Sequence, residues 1–235
     1  MTTDDPAASD GGDTSAENGP GDASTGSGEG DASTASDDGD APTGSGDGAG
    51  SAETSAGPIA VLLDVLPNGR PDDDRPAYQK SPIAYGLGAP SFRLYEMTLA
   101  DDADVSVSDR VPLDGGAVAR YREVEFDGLT RNAVAEIEYA VEAIVDGDER
   151  RFVDFYNDAG PITLRLHQIN LLPGVGKKLR NNVLDERKRG PFETFEEVSE
   201  RVSGLHRPRE VIVERIVEEI RKDDLKYRRF AGRDE

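Results

Sequence analysis

The chain has 235 residues and a formal net charge of −21, with 48 Asp and Glu residues against 27 Lys and Arg residues. It contains no cysteine and only two histidines, His167 and His206, which excludes disulfides and thiolate metal sites and argues against a histidine-based metal cluster. No run of about 18 apolar residues occurs, so the sequence predicts no membrane-spanning segment.

The first 57 residues differ in composition from the rest of the chain. They are mainly Asp, Gly, Ser, Thr, Ala and Pro, with 13 acidic residues and no Lys, Arg or aromatic residue. Such a segment cannot bury enough apolar surface to offset its loss of conformational entropy, so residues 1–57 are predicted to form a disordered acidic tail. The tail lacks the basic and apolar regions of a signal peptide, and we therefore expect a cytoplasmic protein.

Residues 58–128 are predicted to form a β domain. The apolar run IAVLLDVL at 59–66 is typical of a buried strand, and the turn-forming residues of 67–76 predict a loop. Further strands are predicted where polarity alternates, at 91–99, 105–107 with 110–113, and 119–126. Four or five short strands fit a small OB-like β-barrel, and a small open sheet fits the same pattern nearly as well.

Residues 129–160 are predicted to hold two connecting helices. Thr130 is suited to cap a helix over 132–145, in which apolar residues recur on one face. A second helix over 149–157 places Phe152, Phe155 and Tyr156 at helical spacing. These aromatic residues could stack on bases, but their spacing is more typical of a core face, which we expect here.

Residues 161–235 are predicted to form an all-α helix-hairpin-helix domain. A helix over 163–170, the glycine turn LLPGVGKK at 171–178 and a helix over 177–189 make the first pair. A second pair covers 192–202, opened by a capping box from Thr194 to Glu197, and a last helix that begins near Pro208. One pair cannot bury its apolar stripe alone, so we expect the two pairs to pack together. The connection at 203–207 has no glycine hairpin and is expected to give structural support.

The glycine turn is the most specific pattern in the chain. Gly174 and Gly176 allow positive φ and a close approach of the backbone to a ligand. The N–H groups that open the following helix favour an anion, and two adjacent lysines make a nucleic-acid phosphate the natural one. We expect the N–H groups of 175–177 to contact it. The predicted nucleic-acid-binding residues are Leu172, Pro173, Gly174, Val175, Gly176, Lys177, Lys178 and Arg180.

Other readings of these residues stay open. The glycines could serve only a helix end and turn, or the hairpin could be a protein-packing module. Residues 187–189 are either a solvated helix end or a further phosphate contact. His167 is expected to be structural, and the carboxylates of Glu149, Asp154 and Asp158 lack the converging histidine or lysine of a metal-assisted nuclease.

The charge distribution agrees with a local binding surface. Residues 161–235 carry 17 basic and 14 acidic residues, whereas residues 58–160 carry 10 basic and 21 acidic residues.

The Asp-rich composition, with 6 Lys against 21 Arg, resembles that of proteins from salt-loving archaea. At about 1 M salt the Debye length is only ~3 Å, so repulsion from the acidic surface would be screened. The acidic tail is expected to keep the protein soluble at high salt. Alternatively, the tail could imitate a nucleic acid and cover the hairpin of its own chain.

Several segments together resemble one archaeal family, the domain of unknown function 655. They are LLDVLPNGRP, FRLYEMTL, RFVDFYNDAGPITLRLHQINLLPGVGKK and KRGPFETFEEVSERV, and the resemblance covers residues 58–233. It implies an OB-like domain followed by a helix-hairpin-helix region, a role in RNA binding linked to translation or RNA processing, and no catalytic activity. Asn181 and Asn182 depart from the general hairpin motif, in which a small apolar residue often packs between the helices.

The sequence therefore predicts an α+β, non-enzymatic nucleic-acid-binding protein of the cytoplasm, with no cofactor, metal or catalytic residue. RNA is the expected partner, with ribosomal or other translation proteins as further partners. Nothing in the residues separates RNA from DNA, so a DNA-binding or repair accessory factor is the alternative. A third possibility is a protein scaffold on the translation or transcription machinery that does not touch nucleic acid.

Overall fold

A computed structural model describes residues 58–70 and 73–232, all of which belong to one unit of the fold. The tail predicted for 1–57 lies outside the described residues.

Five antiparallel strands form one sheet in the order β4-β1-β2-β3-β5. Their bounds are β1 Ile59–Leu66, β2 Ile83–Gly88, β3 Leu94–Leu99, β4 Arg110–Pro112 and β5 Val118–Glu123. The strand β1 pairs with both β2 and β4, and no pairing joins the edge strands β4 and β5 within the described residues. The sheet is therefore a curled half-barrel, not a closed barrel.

Two parts of the sheet differ from the sequence prediction. The strand β2 was not predicted, because IAYGLG is buried throughout and so shows no alternation of polarity. Gly86 relieves crowding there, since a Cβ would lie 2.6 Å from the Cε atom of Met97 on β3 and 3.2 Å from the carbonyl oxygen of Val61 on β1. The strand predicted at 105–107 is wrong: the N–H of Ser106 donates to Asp109 Oδ2 at 2.7 Å, which holds this segment in a turn before β4.

Five α-helices follow the sheet, and the N-caps predicted at Thr130 and Thr194 are present. They are α1 Arg131–Gly147, α2 Glu149–Asp158, α3 Lys177–Arg187, α4 Phe195–Arg201 and α5 Pro208–Arg221, with short 3-10 turns at Ala77–Gln79, Phe126–Gly128 and Gln168–Leu171. Thr130 Oγ1 accepts from the N–H of Ala133 at 3.0 Å, and Thr194 Oγ1 accepts from the N–H of Glu197 at 3.1 Å. No helix in this part of the chain combines the length and the apolar character needed to cross a bilayer.

One apolar core joins the sheet to the helices. Side chains on one face of β1 and β2, such as Leu63 and Leu87, share this core with Ile137 of α1 and with the aromatic residues of α2. Phe152, Phe155 and Tyr156 are almost fully buried, which confirms the prediction that they form a core face. The opposite face of the sheet has a smaller apolar cluster of its own. The predicted domain boundaries at 128 and 160 stay predictions.

The C-terminal segment is held on α5 by a buried carboxylate. Glu219 is fully buried and accepts the N–H groups of Arg229, Phe230 and Ala231 at 2.7 to 3.0 Å. Arg215 completes the arrangement by donating to the same carboxylate at 2.8 Å. A buried charge that is paired and hydrogen-bonded in this way is tolerated, whereas an unpaired one is strongly destabilising.

Candidate functional site

The segment before the glycine turn is not the predicted helix. The helix predicted over 163–170 is wrong, and only a short 3-10 turn at Gln168–Leu171 is present. Thr163 Oγ1 accepts from the N–H groups of Arg165 and Leu166, and the carbonyl of Leu166 accepts from Ile162 and Thr163. These local bonds close a loop that competes with a helix, and Leu164 in it is fully exposed.

We call the residues from Leu172 to Lys178 the first turn. The N–H of Val175 donates to the carbonyl of Leu172 at 3.2 Å, and Gly174 between them has φ +72°. The side chains of Leu172 and Val175 are buried in the main core. The side chains of these two predicted site residues therefore anchor the turn. The N–H of Val175 already donates within the turn, and its contact with phosphate stays a prediction.

Gly176 is the N-cap of α3, and neither its backbone angles nor its packing requires a glycine. Its φ of −82° and ψ of −178° are open to any residue, and a Cβ there would meet no atom within 4 Å. No hydrogen bond within the described residues uses the N–H groups of Gly176, Lys177 or Lys178. The start of α3 thus leaves donors available with no side chain in front of them, as an anion site requires.

The predicted cations of the first turn divide into two kinds. Lys177 and Lys178 are exposed and form no ion pair among the described residues. Arg180 instead donates to Asn170 Oδ1 at 3.3 Å and to Asn181 Oδ1 at 2.9 Å. Asn170 in turn donates to the carbonyl of Val175 at 3.1 Å. Arg180 is therefore a brace for the turn, and the structure brings the two lysines beside Gly174 and Gly176.

A second turn repeats this backbone at Val202 to Pro208. The N–H of Leu205 donates to the carbonyl of Val202 at 3.0 Å, Gly204 has φ +95°, and the side chains of Val202 and Leu205 are buried. The expectation that 203–207 has no glycine hairpin is therefore wrong. The pattern apolar-x-Gly-apolar, shared with the first turn, is the signal in the sequence that could have found it.

The second turn differs from the first in chemistry. Its helix begins with Pro208, which has no N–H to donate. Arg209 is directed to α1, where its Nε lies 2.6 Å from Asp146 Oδ1 and the hydrogen bond lowers the pKa of Asp146. Glu210, in the first turn of α5, is exposed and would repel an anion. The second turn is therefore a poor phosphate site, in agreement with the expected structural role.

The two turns are neighbours joined through α3. Asn182 Nδ2 donates to the carbonyl of Ser203 at 3.0 Å, and Leu179 would contact a Cβ on Gly204 at 3.6 Å. Asn182 thus explains the departure from the general hairpin motif, because its side chain bonds to the second turn. Both turns line one depression with a volume of about 400 Å³.

The basic residues at the end of α3 serve mainly the fold. Arg187 Nη1 donates to the carbonyls of Asn157 and Ala159, each at 2.8 Å, and so caps the end of α2. Lys188 and Arg189 are exposed and pair with acidic residues of their own helix. Of the three residues at 187–189, Arg187 is therefore structural.

The groups considered for catalysis also have structural partners. His167 Nδ1 accepts from the N–H of Ile169 at 3.2 Å, and burial, with Arg187 and Arg180 nearby, lowers the pKa of this histidine. Glu149 accepts from the N–H of Phe195 at 2.7 Å, and Asp154 pairs with Arg150. Over 58–70 and 73–232, no group of three or more His, Asp and Glu side chains is arranged to hold a metal ion.

Comparison with known proteins identifies similar archaeal chains. A family model described as a protein of unknown function, DUF655, matches residues 57–232. The uncharacterized protein MJ0038 of Methanocaldococcus jannaschii is 36% identical over 168 residues, which are 70% of this chain and 74% of that protein. The crystal structure of Af1531 from Archaeoglobus fulgidus, also described as DUF655, matches with a TM-score of 0.69 and 40% identity over 74% of this chain and 99% of that one.

Proposed function

Because this chain belongs to the DUF655 family, whose description names no activity, we propose a function from the chemistry of its own residues. The protein is a non-enzymatic RNA-binding protein that holds backbone phosphates at the first turn. RNA in preference to DNA follows from the expected role of the family, since the turn itself would hold either backbone.

The observation that carries this proposal is the start of α3. Gly176 is a glycine that neither its backbone conformation nor its packing requires, and the N–H groups that follow it are unbonded within the described residues. A ligand that approaches the backbone closely would explain both features at once. The two exposed lysines at the same place supply the positive charge that a phosphate needs.

In the proposed complex a phosphate oxygen accepts from the N–H groups of Gly176 and Lys177, and the side chains of Lys177 and Lys178 neutralise its charge. Such contacts position a strand without reading its bases, so binding is independent of sequence at this turn. We also interpret the half-barrel as OB-like, the second turn with α4 and α5 as a helix-hairpin-helix unit, and the first turn as a variant of that unit in which a 3-10 turn replaces the first helix. The half-barrel would then offer a second surface for the same nucleic acid.

A neutralisation experiment tests the first turn. The full chain carrying Lys177→Gln and Lys178→Gln is compared with a matched variant carrying Lys188→Gln and Arg189→Gln, which removes the same charge from the other end of α3. Binding of a labelled structured RNA, followed by fluorescence anisotropy over a range of KCl concentrations, should weaken roughly tenfold in the first variant alone. Thermal unfolding should be nearly unchanged in both variants.

The outcomes separate the three candidate partners. Equal weakening in both variants would show that only overall charge matters and would refute the first turn as the site. Tighter binding of DNA than of RNA, lost in the Lys177 and Lys178 variant, would keep the site and change the nucleic acid. If the parent chain binds neither RNA nor DNA at low or molar salt, the proposal fails and a protein scaffold becomes the better reading.

A further inference from the structure

The side of the sheet that faces the helices is apolar on some strands and polar on others. On β1 and β2 this face is apolar and covered by α1. On β3 and β5 the same face carries polar residues, because Glu96 pairs with Arg122 across the strands and Thr98 pairs with Arg120. Gly69, Arg70, Asp73, Arg75 and Ser81, from the loop after β1, line the other side. Together they enclose a pocket of about 380 Å³, which we call the arginine pocket.

The charge of this pocket is opposite to that of its surroundings. Residues 58–160 contain 10 basic residues against 21 acidic ones. Four of those ten meet here, since Arg70, Arg75 and Arg120 line the pocket and Arg122 pairs with Glu96 inside it. Among the described residues, two acidic ones, Asp73 and Glu96, line it. A surface that is merely acidic overall does not concentrate arginines in this way.

Glu96 organises two of these arginines. Its side chain is 13% exposed and accepts from Arg122 Nε at 3.1 Å, from Tyr85 Oη at 3.2 Å and from Arg70. Burial acts to raise the pKa of Glu96, but hydrogen bonds from Arg122 and Arg70 outweigh it and lower the pKa. The ionised carboxylate therefore keeps both guanidinium groups in fixed positions. Glu96 is a positioning residue of the pocket.

Arg120 differs from the other arginines of the pocket because its guanidinium group has no carboxylate partner among the described residues. Its Nε donates to Thr98 Oγ1 at 3.0 Å, which orients the guanidinium group. Among the described residues Arg120 forms no ion pair, and its two terminal nitrogens donate to no carboxylate. A planar guanidinium group held at one nitrogen presents the other two as a fork, which matches two oxygens of a phosphate.

We propose that the arginine pocket binds a phosphate group, with Arg120 as the direct contact and Arg70 and Arg122 as the surrounding charge. The identity of the ligand as the phosphodiester backbone of a nucleic acid rests on the proposed function. That the ligand carries a phosphate group is inferred from the residues of the pocket alone. The same chemistry also fits the phosphate of a free nucleotide, so the test includes both sources.

The test uses the full chain with Arg120→Gln and a matched control, Arg131→Gln. Arg131 is also exposed and also makes no ion pair within the described residues, but it lies at the start of α1, outside the pocket. A labelled single-stranded RNA and adenosine monophosphate are titrated separately at several salt concentrations. We expect roughly three- to tenfold weaker RNA binding for Arg120→Gln and no change for Arg131→Gln.

Salt dependence separates a lost phosphate contact from a structural effect. The slope of log K against log salt is negative, and its magnitude should fall by about 0.7 in Arg120→Gln, since one phosphate contact to a single strand is lost. Arg120→Lys should restore the slope, because the charge returns. A variant that weakens binding without a change in slope would overturn the inference, and so would equal weakening in the Arg131→Gln control.

The results also separate this inference from the proposed function. Loss of binding in the Lys177 and Lys178 variant with none in Arg120→Gln would leave the first turn as the site and refute the pocket. Loss in Arg120→Gln alone would keep the pocket and refute the first turn. Saturable binding of adenosine monophosphate that is lost in Arg120→Gln would support the pocket and assign it to a free nucleotide. No binding of either probe by the parent would refute both.

Discussion

The two glycine turns share a backbone and differ in what they offer to a ligand. In each, a glycine with positive φ lies between two buried apolar residues, and the same hydrogen bond closes the turn. The first turn then continues with a second glycine and two exposed lysines, whereas the second continues with a proline, an arginine paired to α1 and an exposed glutamate. The comparison teaches that the backbone marks a packing unit, and that the residues at the helix start decide whether it can hold a phosphate.

Equal loss of stability is the largest effect that the comparison predicts. Gly174→Ala and Gly204→Ala each force an L-residue into the left-handed region and should lower the free energy of unfolding by about 1–2 kcal/mol. Urea denaturation of both variants measures this. If only one of them is destabilised, the two turns do not share a backbone in solution. Gly176→Ser is the control, and it should leave stability nearly unchanged because serine suits an N-cap and its Cβ would meet no atom within 4 Å.

A charge reversal at the second turn should turn it into a weak phosphate site. Glu210→Lys removes the exposed acid from the first turn of α5 and adds a cation to a depression that Pro173 of the first turn also lines. We expect RNA affinity to rise roughly threefold, measured by fluorescence anisotropy at low salt. Glu200→Lys makes the same change of charge on α4 and serves as the control. An equal gain in both variants would mean that net charge, and not the second turn, is responsible.

A difference in pH response is the smallest predicted effect. Burial, with Arg187 and Arg180 nearby, lowers the pKa of His167 below its ordinary value of 6.5. As the pH falls, the unfolded chain therefore binds the proton first, and the stability present above pH 6.5 is lost as the pH falls through the folded-state pKa. Amide hydrogen exchange measures local opening at pH 7.5 and at pH 6.0. When the pH is lowered between these values, opening should increase more at Leu172 and Val175 than at Val202 and Leu205. In His167→Gln this difference should disappear, and its persistence would contradict the assignment.

The elements that the sequence predicted well carry strong local signals. The strand β1, the N-cap of Thr130 with α1, and the N-cap of Thr194 with α4 depend on residues close together in the chain. The aromatic face of α2 was also predicted correctly, because helical spacing alone separates a core face from an exposed one. Family membership followed from long segments of specific sequence and is confirmed.

The elements that were missed depend on distant partners. The strand β2 is buried on both faces, so its residues carry no alternation that a local reading could use. The predicted helix over 163–170 has apolar residues at helical spacing, but hydrogen bonds from Thr163 and the carbonyl of Leu166 close a loop instead. The second turn was overlooked because Ser203 and His206 replace the proline and the second glycine of the first turn.

The sequence by itself determined the fold class, most helix starts, the family and the place of the first turn, because each of these depends on residue types at short separation. The tertiary structure alone decided which of the predicted site residues can meet a ligand. Leu172 and Val175 turn into the core, Arg180 braces the turn through Asn170, and Gly176 stays open. It also brought Arg120 into one pocket with Glu96 on β3 and Arg70 in the loop after β1, which are far from it in the chain. Side-chain direction and burial are set by contacts between distant segments, and no local pattern contains them.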